Sequence, residues 1–176
     1  MSLSKGMIAV TQLLGLSEFE AVEVLDNAKL KTRRIIVIPR VSAGVCPHCK
    51  KASDRRHQVR DRIVRDLPMG AFATELMVRV PQYECLGCDQ KFTPRFESLA
   101  ESAGATERFL ERLTEMIRFG DIKNASAFFG LPEKTLESWY YDYVQRRSTA
   151  MLAGPILSLG IDELSRKKSG DATAAS

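Results

Sequence analysis

The sequence predicts an α+β protein whose β-rich first half is followed by an all-α second half. Between residues 20 and 83, short runs are rich in apolar and β-branched residues, and the last of them alternates with a period of two, as expected for strands. After residue 104 the apolar residues recur with a spacing of three to four, as expected for amphipathic helices. With 176 residues and 44% hydrophobic content, the chain is long and apolar enough to build a folded core.

The first 41 residues are predicted to form a small β-rich lead-in. Two runs rich in apolar and β-branched residues, Glu20–Leu25 and Arg34–Ile38, are expected to be strands joined by a turn at residues 26–29. The apolar segment Met7–Leu16 is expected to be a helix that packs on these strands. No apolar run is long enough to cross a bilayer, so no membrane partner is predicted.

Residues 42–103 are predicted to form a second unit built around a β-hairpin. The first strand is expected at Gln58–Asp66 and the second at Thr74–Tyr83, where apolar and polar residues alternate. Between them, the segment Leu67–Gly70 contains a proline and a glycine, which favour a turn.

Two CxxC motifs flank this hairpin, and together they use all four cysteines of the chain, which are Cys46, Cys49, Cys85 and Cys88. Thiolates suit Zn²⁺, and two CxxC loops can close one tetrahedral Cys₄ site. The 35 residues between the motifs exceed the spacing of a compact zinc module, and the hairpin accounts for the excess. Two disulfides or four free thiols are the alternatives, but the N-terminus shows no signal-peptide pattern. The sequence therefore predicts a zinc ribbon with one structural zinc, covered by Phe92 and Phe96.

A basic cluster follows the first CxxC motif. The segment from Lys50 to Asp66 carries a net charge of +4, as much as the whole chain. Beside a zinc knuckle, such a cluster is typical of a surface that contacts nucleic-acid phosphates. The alternative is a charged strand that contacts only solvent, because three aspartates reduce the positive charge of the segment. The predicted phosphate-contacting residues are Lys50, Lys51, Arg55, Arg56, Arg60 and Arg62.

Residues 104–150 are predicted to form three helices. Thr106 is a good N-cap for the first, and Gly120 and Gly130 are expected to end the first and second. A third helix, from about Pro132 to Arg147, would follow a tight turn, which is typical of a helix-turn-helix DNA-binding domain. A plain three-helix packing unit is the alternative. The predicted base-reading residues are Lys134, Thr135 and Ser138, and the predicted phosphate contacts are Arg146 and Arg147.

The order of these modules resembles the N-terminal half of the ISL-three family of insertion-sequence transposases. The resemblance rests on the CPHC motif at residues 46–49, the RDLP motif at 65–68, the YEC motif at 83–85 and the LGIDE motif at 159–163. It covers roughly residues 8–168, and the order of the motifs is more specific than any one of them.

The resemblance implies cut-and-join transposition by an RNase H-like DDE domain, whose three carboxylates hold two Mg²⁺ ions. Asp162 matches the first of these carboxylates. The chain ends 14 residues later, so residues 151–176 are interpreted as the start of a truncated DDE domain and a tail. Magnesium is expected only in an intact DDE domain, and we expect this chain alone to be inactive as an enzyme.

The resemblance implies a DNA-binding portion of a transposase that recognises terminal inverted repeats in double-stranded DNA. A truncated, non-catalytic repressor of the intact transposase is a second hypothesis, and a zinc-ribbon adaptor for protein interactions is a third. A homodimer and the intact transposase are further candidate partners. The expected location is the cytoplasm, at the bacterial nucleoid.

Overall fold

The computed structural model describes residues 5–151, with side chains described for residues 5–149. The predicted α+β fold is confirmed, because a sheet that carries the four cysteines is followed by a helical region. The elements in chain order are α1 (Lys5–Leu14), β1 (Phe19–Asn27), β2 (Thr32–Pro39), β3 (Gly44–Val45), β4 (Ala52–Ser53), β5 (Arg56–Met69), β6 (Phe72–Glu84), β7 (Lys91–Phe92), α2 (Glu107–Phe119), α3 (Ile122–Phe129) and α4 (Glu133–Met151).

One mixed sheet joins the lead-in to the hairpin. Its strand order is β1-β2-β6-β5, and β7 adds a short pairing to the end of β6. All neighbours are antiparallel except β2 and β6, which run parallel from Thr32 beside Ala73 to Val37 beside Val78. Strands β1 and β2 of the lead-in and strands β5 and β6 of the hairpin therefore share one sheet, although they were predicted in successive units.

Alternation along the strands gives the sheet one covered face. The buried residues on this face include Ile35 and Val37 of β2, Val64 of β5, and Leu76 and Val78 of β6. The side chains that cover them come from the end of α1, from the link between α1 and β1, and from the segment after β7, and these are Leu14, Leu16, Phe96 and Leu99. Burial of this face is the main apolar stabilisation of the first half of the protein.

Two predicted turns lie elsewhere in the structure. The turn between β1 and β2 occupies residues 28–31, two positions later than predicted. The segment Leu67–Met69 belongs to β5, so the turn predicted at Leu67–Gly70 is wrong except for Gly70. A register shift between Asp66 and Met69 accommodates Pro68, which has no N–H for the ladder. The chain reverses at Gly70, whose φ of 65° suits glycine.

Three helices follow the sheet, and the first two have defined caps. Thr106 caps α2 by accepting a hydrogen bond from the Phe109 N–H, as predicted, and Asp121 caps α3 in the same way at Asn124. Gly130 ends α3 in the left-handed region, with φ of 62°. The third helix, α4, begins at Glu133 and extends four residues beyond the predicted end. The helix-turn-helix interpretation of this trio stays a prediction.

The helices share a core separate from that of the sheet. Its buried members include Phe109, Leu110 and Leu113 of α2, Phe129 of α3, and Leu136 and Tyr143 of α4. The rings of Phe109 and Phe129 are 4.6 Å apart between centroids. Within residues 5–151, no helix combines the length and the apolar character needed to span a membrane.

Candidate metal centre and nucleic-acid interface

Each CxxC motif forms a tight loop of the same backbone design. In the first loop, the Lys50 N–H donates to the Cys46 carbonyl oxygen at 2.9 Å, and the Cys46 N–H donates to the Lys51 carbonyl oxygen at 2.9 Å. The second loop has the same two bonds: the Asp89 N–H donates to the Cys85 carbonyl oxygen at 2.8 Å, and the Cys85 N–H donates to the Gln90 carbonyl oxygen at 2.9 Å. The two loops are therefore equivalent knuckles.

A left-handed residue closes each knuckle. Lys50 has φ of 61° and Asp89 has φ of 54°, so both occupy the position where the chain turns back toward its cysteine. The hairpin of β5 and β6 then spans the distance between the knuckles. The Ser53 hydroxyl donates to the Glu84 carbonyl oxygen at 2.6 Å, which fastens the first knuckle to the end of β6.

The hairpin brings all four cysteine sulfurs together. The Sγ atoms of Cys46 and Cys88 are 3.7 Å apart, those of Cys49 and Cys85 are 3.3 Å apart, and all four lie within 4.8 Å of one another. A tetrahedral zinc with Zn–S bonds of about 2.3 Å would separate its sulfurs by roughly 3.8 Å. All four cysteines are free rather than paired in disulfides. The cluster fits a structural zinc, as the sequence predicted.

Main-chain amides favour the thiolate forms that bind metal. The Gly87 N–H donates to Cys85 Sγ at 3.4 Å. This bond, with the neighbouring thiol of Cys49, lowers the pKa of Cys85 to about 7. The Cys49 N–H likewise lowers the pKa of Cys46. Because the thiolate is the zinc ligand, these amides favour metal binding at Cys46 and Cys85. The pKa of Cys88, which the Gln90 amide lowers, is raised overall to about 12 by burial and by hydrogen bonds with the other three thiols.

An aromatic floor supports the cysteine cluster. Tyr83 and Phe92 are buried and pack with Cys46 and Cys85, and the two ring centroids are 5.9 Å apart. Phe92 therefore covers the metal site as predicted. The same prediction is wrong for Phe96, which belongs to the sheet core and stacks at 5.0 Å on Phe19.

Gly44 makes room for this floor. A Cβ at this position would lie 2.9 Å from Phe92 Cε2 and 3.2 Å from Tyr83 Cδ2, closer than atoms in proteins normally approach. Gly44 was not predicted as part of the site, and Tyr83 was noted only as part of the YEC motif before the second knuckle. The spacing offered one signal, because Gly44 lies two residues before the first cysteine and Tyr83 two residues before the third.

Most of the predicted phosphate-contacting residues lie exposed on the metal-centre side of the hairpin. Lys50, Lys51, Arg56 and Arg60 are all exposed. Lys51 lies across the second knuckle, since a Cβ at Gly87 would be only 2.7 Å from Lys51 Cδ. The basic side chains are thereby grouped around the same end of the protein as the cysteines.

Two of the predicted phosphate contacts have partners within the protein. Arg55 forms an ion pair with Glu84 at 3.3 Å while remaining largely exposed. Arg62 is half-buried, and its terminal nitrogen donates to the carbonyl oxygens of Ala100 and Ala103 at 2.5 and 3.2 Å. Arg62 therefore anchors the segment that leads to α2, a structural role that its sequence context did not reveal.

The first turns of α4 present their polar residues outward. Lys134 and Ser138 are exposed and one helical turn apart, and Thr135 beside them is half-buried. Farther along the helix, Arg146 forms ion pairs with Glu107 and Asp142 at 3.0 and 3.1 Å.

Arg147 lies at the same end of α4 and is exposed. It donates to the Tyr143 hydroxyl at 2.9 Å. The two α4 arginines predicted as phosphate contacts, Arg146 and Arg147, thus have intramolecular partners. The predicted base-reading residues Lys134 and Ser138 face solvent. Asp162 and the predicted start of a DDE domain lie outside the described residues.

The comparison with protein families agrees with the geometry of the knuckles. Residues 42–88 match the family model for the zinc finger of transposases IS204/IS1001/IS1096/IS1165. This stretch is similar to the zinc ribbon of those transposases. The match contains both knuckles and the hairpin between them, and it supports the resemblance for this part of the chain. Comparisons with curated proteins and with solved structures gave no match.

Proposed function

We propose that this protein is the DNA-binding part of a transposase and that it recognises the terminal inverted repeats of its transposon. The observation that carries the proposal is the transposase-type zinc ribbon at residues 42–88, folded here with its four cysteines in ligand geometry. The zinc has a structural role in this proposal, because four thiolates leave no open position for a substrate.

The charge distribution supports DNA as the partner. Four exposed cationic side chains, Lys50, Lys51, Arg56 and Arg60, lie around the knuckles and the start of β5. Such a group neutralises phosphates and releases counterions, which gives affinity without sequence preference. The exposed Lys134 and Ser138 at the start of α4 are suited to read base edges, as the N-terminal residues of a recognition helix do.

The test is the salt dependence of binding to a labelled duplex, measured by fluorescence anisotropy on the zinc-loaded protein. The double variant Arg56→Ala with Arg60→Ala should bind more weakly to every duplex, and its salt slope should fall by about 1 for each phosphate that is no longer neutralised. Lys29→Ala is the matched control, because Lys29 is also exposed and lies in the β1–β2 turn, at the opposite end of the sheet from the knuckles.

An affinity for DNA that hardly changes with salt would contradict the proposal. It would favour the third hypothesis, a zinc-ribbon adaptor, since most protein–protein contacts lack a comparable release of counterions. Equal losses of affinity in the double variant and in the Lys29 control would show that the knuckle surface does not contact the phosphates.

A further inference from the structure

The chain between the zinc ribbon and the helices belongs to both cores of the protein. This linking segment, residues 93–106, follows β7 and precedes α2, and it forms no helix or strand of its own. Phe96 and Leu99 are buried in the core of the sheet. Ala100, Ala103 and Ala105 are buried in the core of the helices. The linking segment therefore packs against both halves of the protein.

Hydrogen bonds hold the linking segment on the sheet. The Glu18 carboxylate, just before β1, accepts the Glu97 N–H at 3.0 Å and the Ser98 N–H at 2.9 Å. Arg62 of β5 donates to two carbonyl oxygens farther along the segment, at 2.5 and 3.2 Å. Two charged side chains of the sheet thus fix the middle of the segment through its main chain.

The end of the linking segment connects the sheet to the helices. The Arg65 N–H donates to the Gly104 carbonyl oxygen at 2.8 Å, and the Thr106 N–H donates to the Arg65 carbonyl oxygen at 2.9 Å. One residue later, Glu107 of α2 forms an ion pair with Arg146 of α4 at 3.0 Å. Segments that are buried and hydrogen-bonded in this way have a low tendency to open locally. The sheet and the helices therefore form one rigid unit.

We propose that this rigid junction fixes the spacing between two blocks of contacts on one DNA duplex. One block is contacted by Lys134 and Ser138 of α4, and the other by the knuckle surface, which consists of Lys50, Lys51, Arg56 and Arg60. The inference rests on the proposed function and adds that the DNA site is bipartite, with a spacer of constant length. Arg62 is a positioning residue in this account, because it holds the linking segment.

The structure limits the length of the spacer. Ser138 precedes Trp139, which lies beside Gly104, since a Cβ at Gly104 would be 3.6 Å from Trp139 Cζ2. Gly104 is bonded to Arg65, and Arg60 lies earlier on the same strand, about 17 Å away. The two surfaces are thus at most roughly 30 Å apart, less than the helical turn of about 34 Å in B-DNA. We expect both blocks to lie within one turn of the duplex.

A flexible linker would predict a different response to a change in the spacer. A flexible chain as long as the linking segment has a root-mean-square end-to-end distance of roughly 20 Å, so two independent domains would follow a shift of one block. A rigid unit cannot follow it, because each inserted base pair moves one block by about 3.4 Å and rotates it by about 35°. Sensitivity to the spacer therefore distinguishes a rigid junction from a flexible one.

The test uses a labelled duplex that carries the sequence enriched by the protein from random duplexes. Hydroxyl-radical footprinting locates the two blocks, and fluorescence anisotropy measures the affinity of the zinc-loaded full chain. An insertion of about five base pairs between the blocks places one of them on the opposite side of the duplex. It should weaken binding roughly 100-fold, which is part of the 10³–10⁷ that typically separates specific from non-specific binding. The same insertion outside the blocks is the control and should leave the affinity unchanged.

Arg60 and Arg62 provide a matched pair of variants, since they lie on the same face of β5. Arg62 is bonded to the linking segment, whereas Arg60 is exposed. The double variant Glu18→Ala with Arg62→Ala should loosen the segment and reduce the loss caused by the insertion about threefold or more. Arg60→Ala should weaken binding to every duplex and leave the ratio between the duplexes unchanged.

Wild-type affinity that the insertion does not change would overturn the proposal, and so would a footprint with a single block. Both results leave the proposed function standing, because the protein would still bind the enriched sequence. Failure of the wild-type chain to bind any duplex would contradict the proposed function as well. A folded double variant that keeps the full loss would show that Glu18 and Arg62 do not set the spacing. If that variant is unfolded by circular dichroism, the wild-type series alone decides whether the junction is rigid.

Discussion

Asp66 on β5 and Arg108 on α2 form an ion pair that joins the sheet to the helices. The carboxylate of Asp66 is fully buried, whereas the Arg108 side chain is 30% exposed. Arg108 Nε donates to Asp66 Oδ1 at 2.7 Å, and the Thr106 hydroxyl donates to the same oxygen at 2.7 Å. Arg108 also donates to the Leu14 carbonyl oxygen at 2.5 Å, so one side chain connects α1, β5 and α2.

This asymmetry in burial predicts different costs for removing the two partners. Arg108→Ala leaves a buried carboxylate with only the Thr106 hydroxyl, and we expect it to lower the free energy of unfolding by about 3–5 kcal/mol. Asp66→Asn keeps the shape of the side chain and leaves a cation that water can reach, so a loss of about 1–3 kcal/mol is expected. Urea denaturation of both variants and of the double variant measures the difference. Losses below about 0.5 kcal/mol would mean that the pair does not hold the two halves together, and equal larger losses would contradict the asymmetry expected from the burial of Asp66.

Removal of the metal should have a local effect. The zinc-loaded protein is expected to contain about one zinc per chain, and Cys85→Ser should lower that content sharply. Because the cores of the sheet and of the helices contain none of the cysteines, a chelator should loosen the knuckles and leave the helical circular dichroism signal largely intact. Elemental analysis and circular dichroism before and after chelation test both statements. A folded sample without zinc, or complete loss of helical signal on chelation, would contradict this view of the site.

The aromatic floor predicts the effect of a single methyl group. Gly44→Ala would push against Phe92 and Tyr83, and we expect it to cost about 1–3 kcal/mol and to weaken zinc binding. Gly104→Ala is the matched control, because its Cβ would have an ordinary 3.6 Å contact with Trp139. Competition with a chromophoric zinc chelator measures the affinity of both variants. If the two variants bind zinc equally well, the floor does not position the knuckles.

The sequence predicted features that depend on local pattern. The alternation from Leu76 to Val80 identified the buried face of β6, and the two CxxC motifs identified the metal cluster. Thr106 was identified as an N-cap because capping depends only on the cap residue and the first helical turn that follows it. These signals extend over a few residues and do not depend on the arrangement of distant segments.

The remaining features depend on contacts between distant segments. The parallel pairing of β2 with β6 has no local signature, so the lead-in was predicted as a separate unit. Asp66 was assigned near a turn because Pro68 and Gly70 follow it, whereas a partner 42 residues away explains its burial. One signal was present, since Asp66 continues the inward positions of β5 two residues after the buried Val64.

Selection of DNA sequences from a pool of random duplexes tests the division between base reading and phosphate contact. The wild-type protein should enrich one sequence, and that sequence should occur in inverted orientation at the two ends of the element that encodes the chain. The double variant Lys134→Ala with Ser138→Ala should lose preference at one or two positions of that sequence, because α4 presents both residues to solvent. Arg60→Ala should bind more weakly yet enrich the same sequence as the wild type. The α4 control Gln145→Ala should enrich that sequence with unchanged affinity. The proposed recognition of transposon ends would be contradicted if no sequence were enriched, or if the Lys134 and Ser138 variant selected the wild-type sequence unchanged.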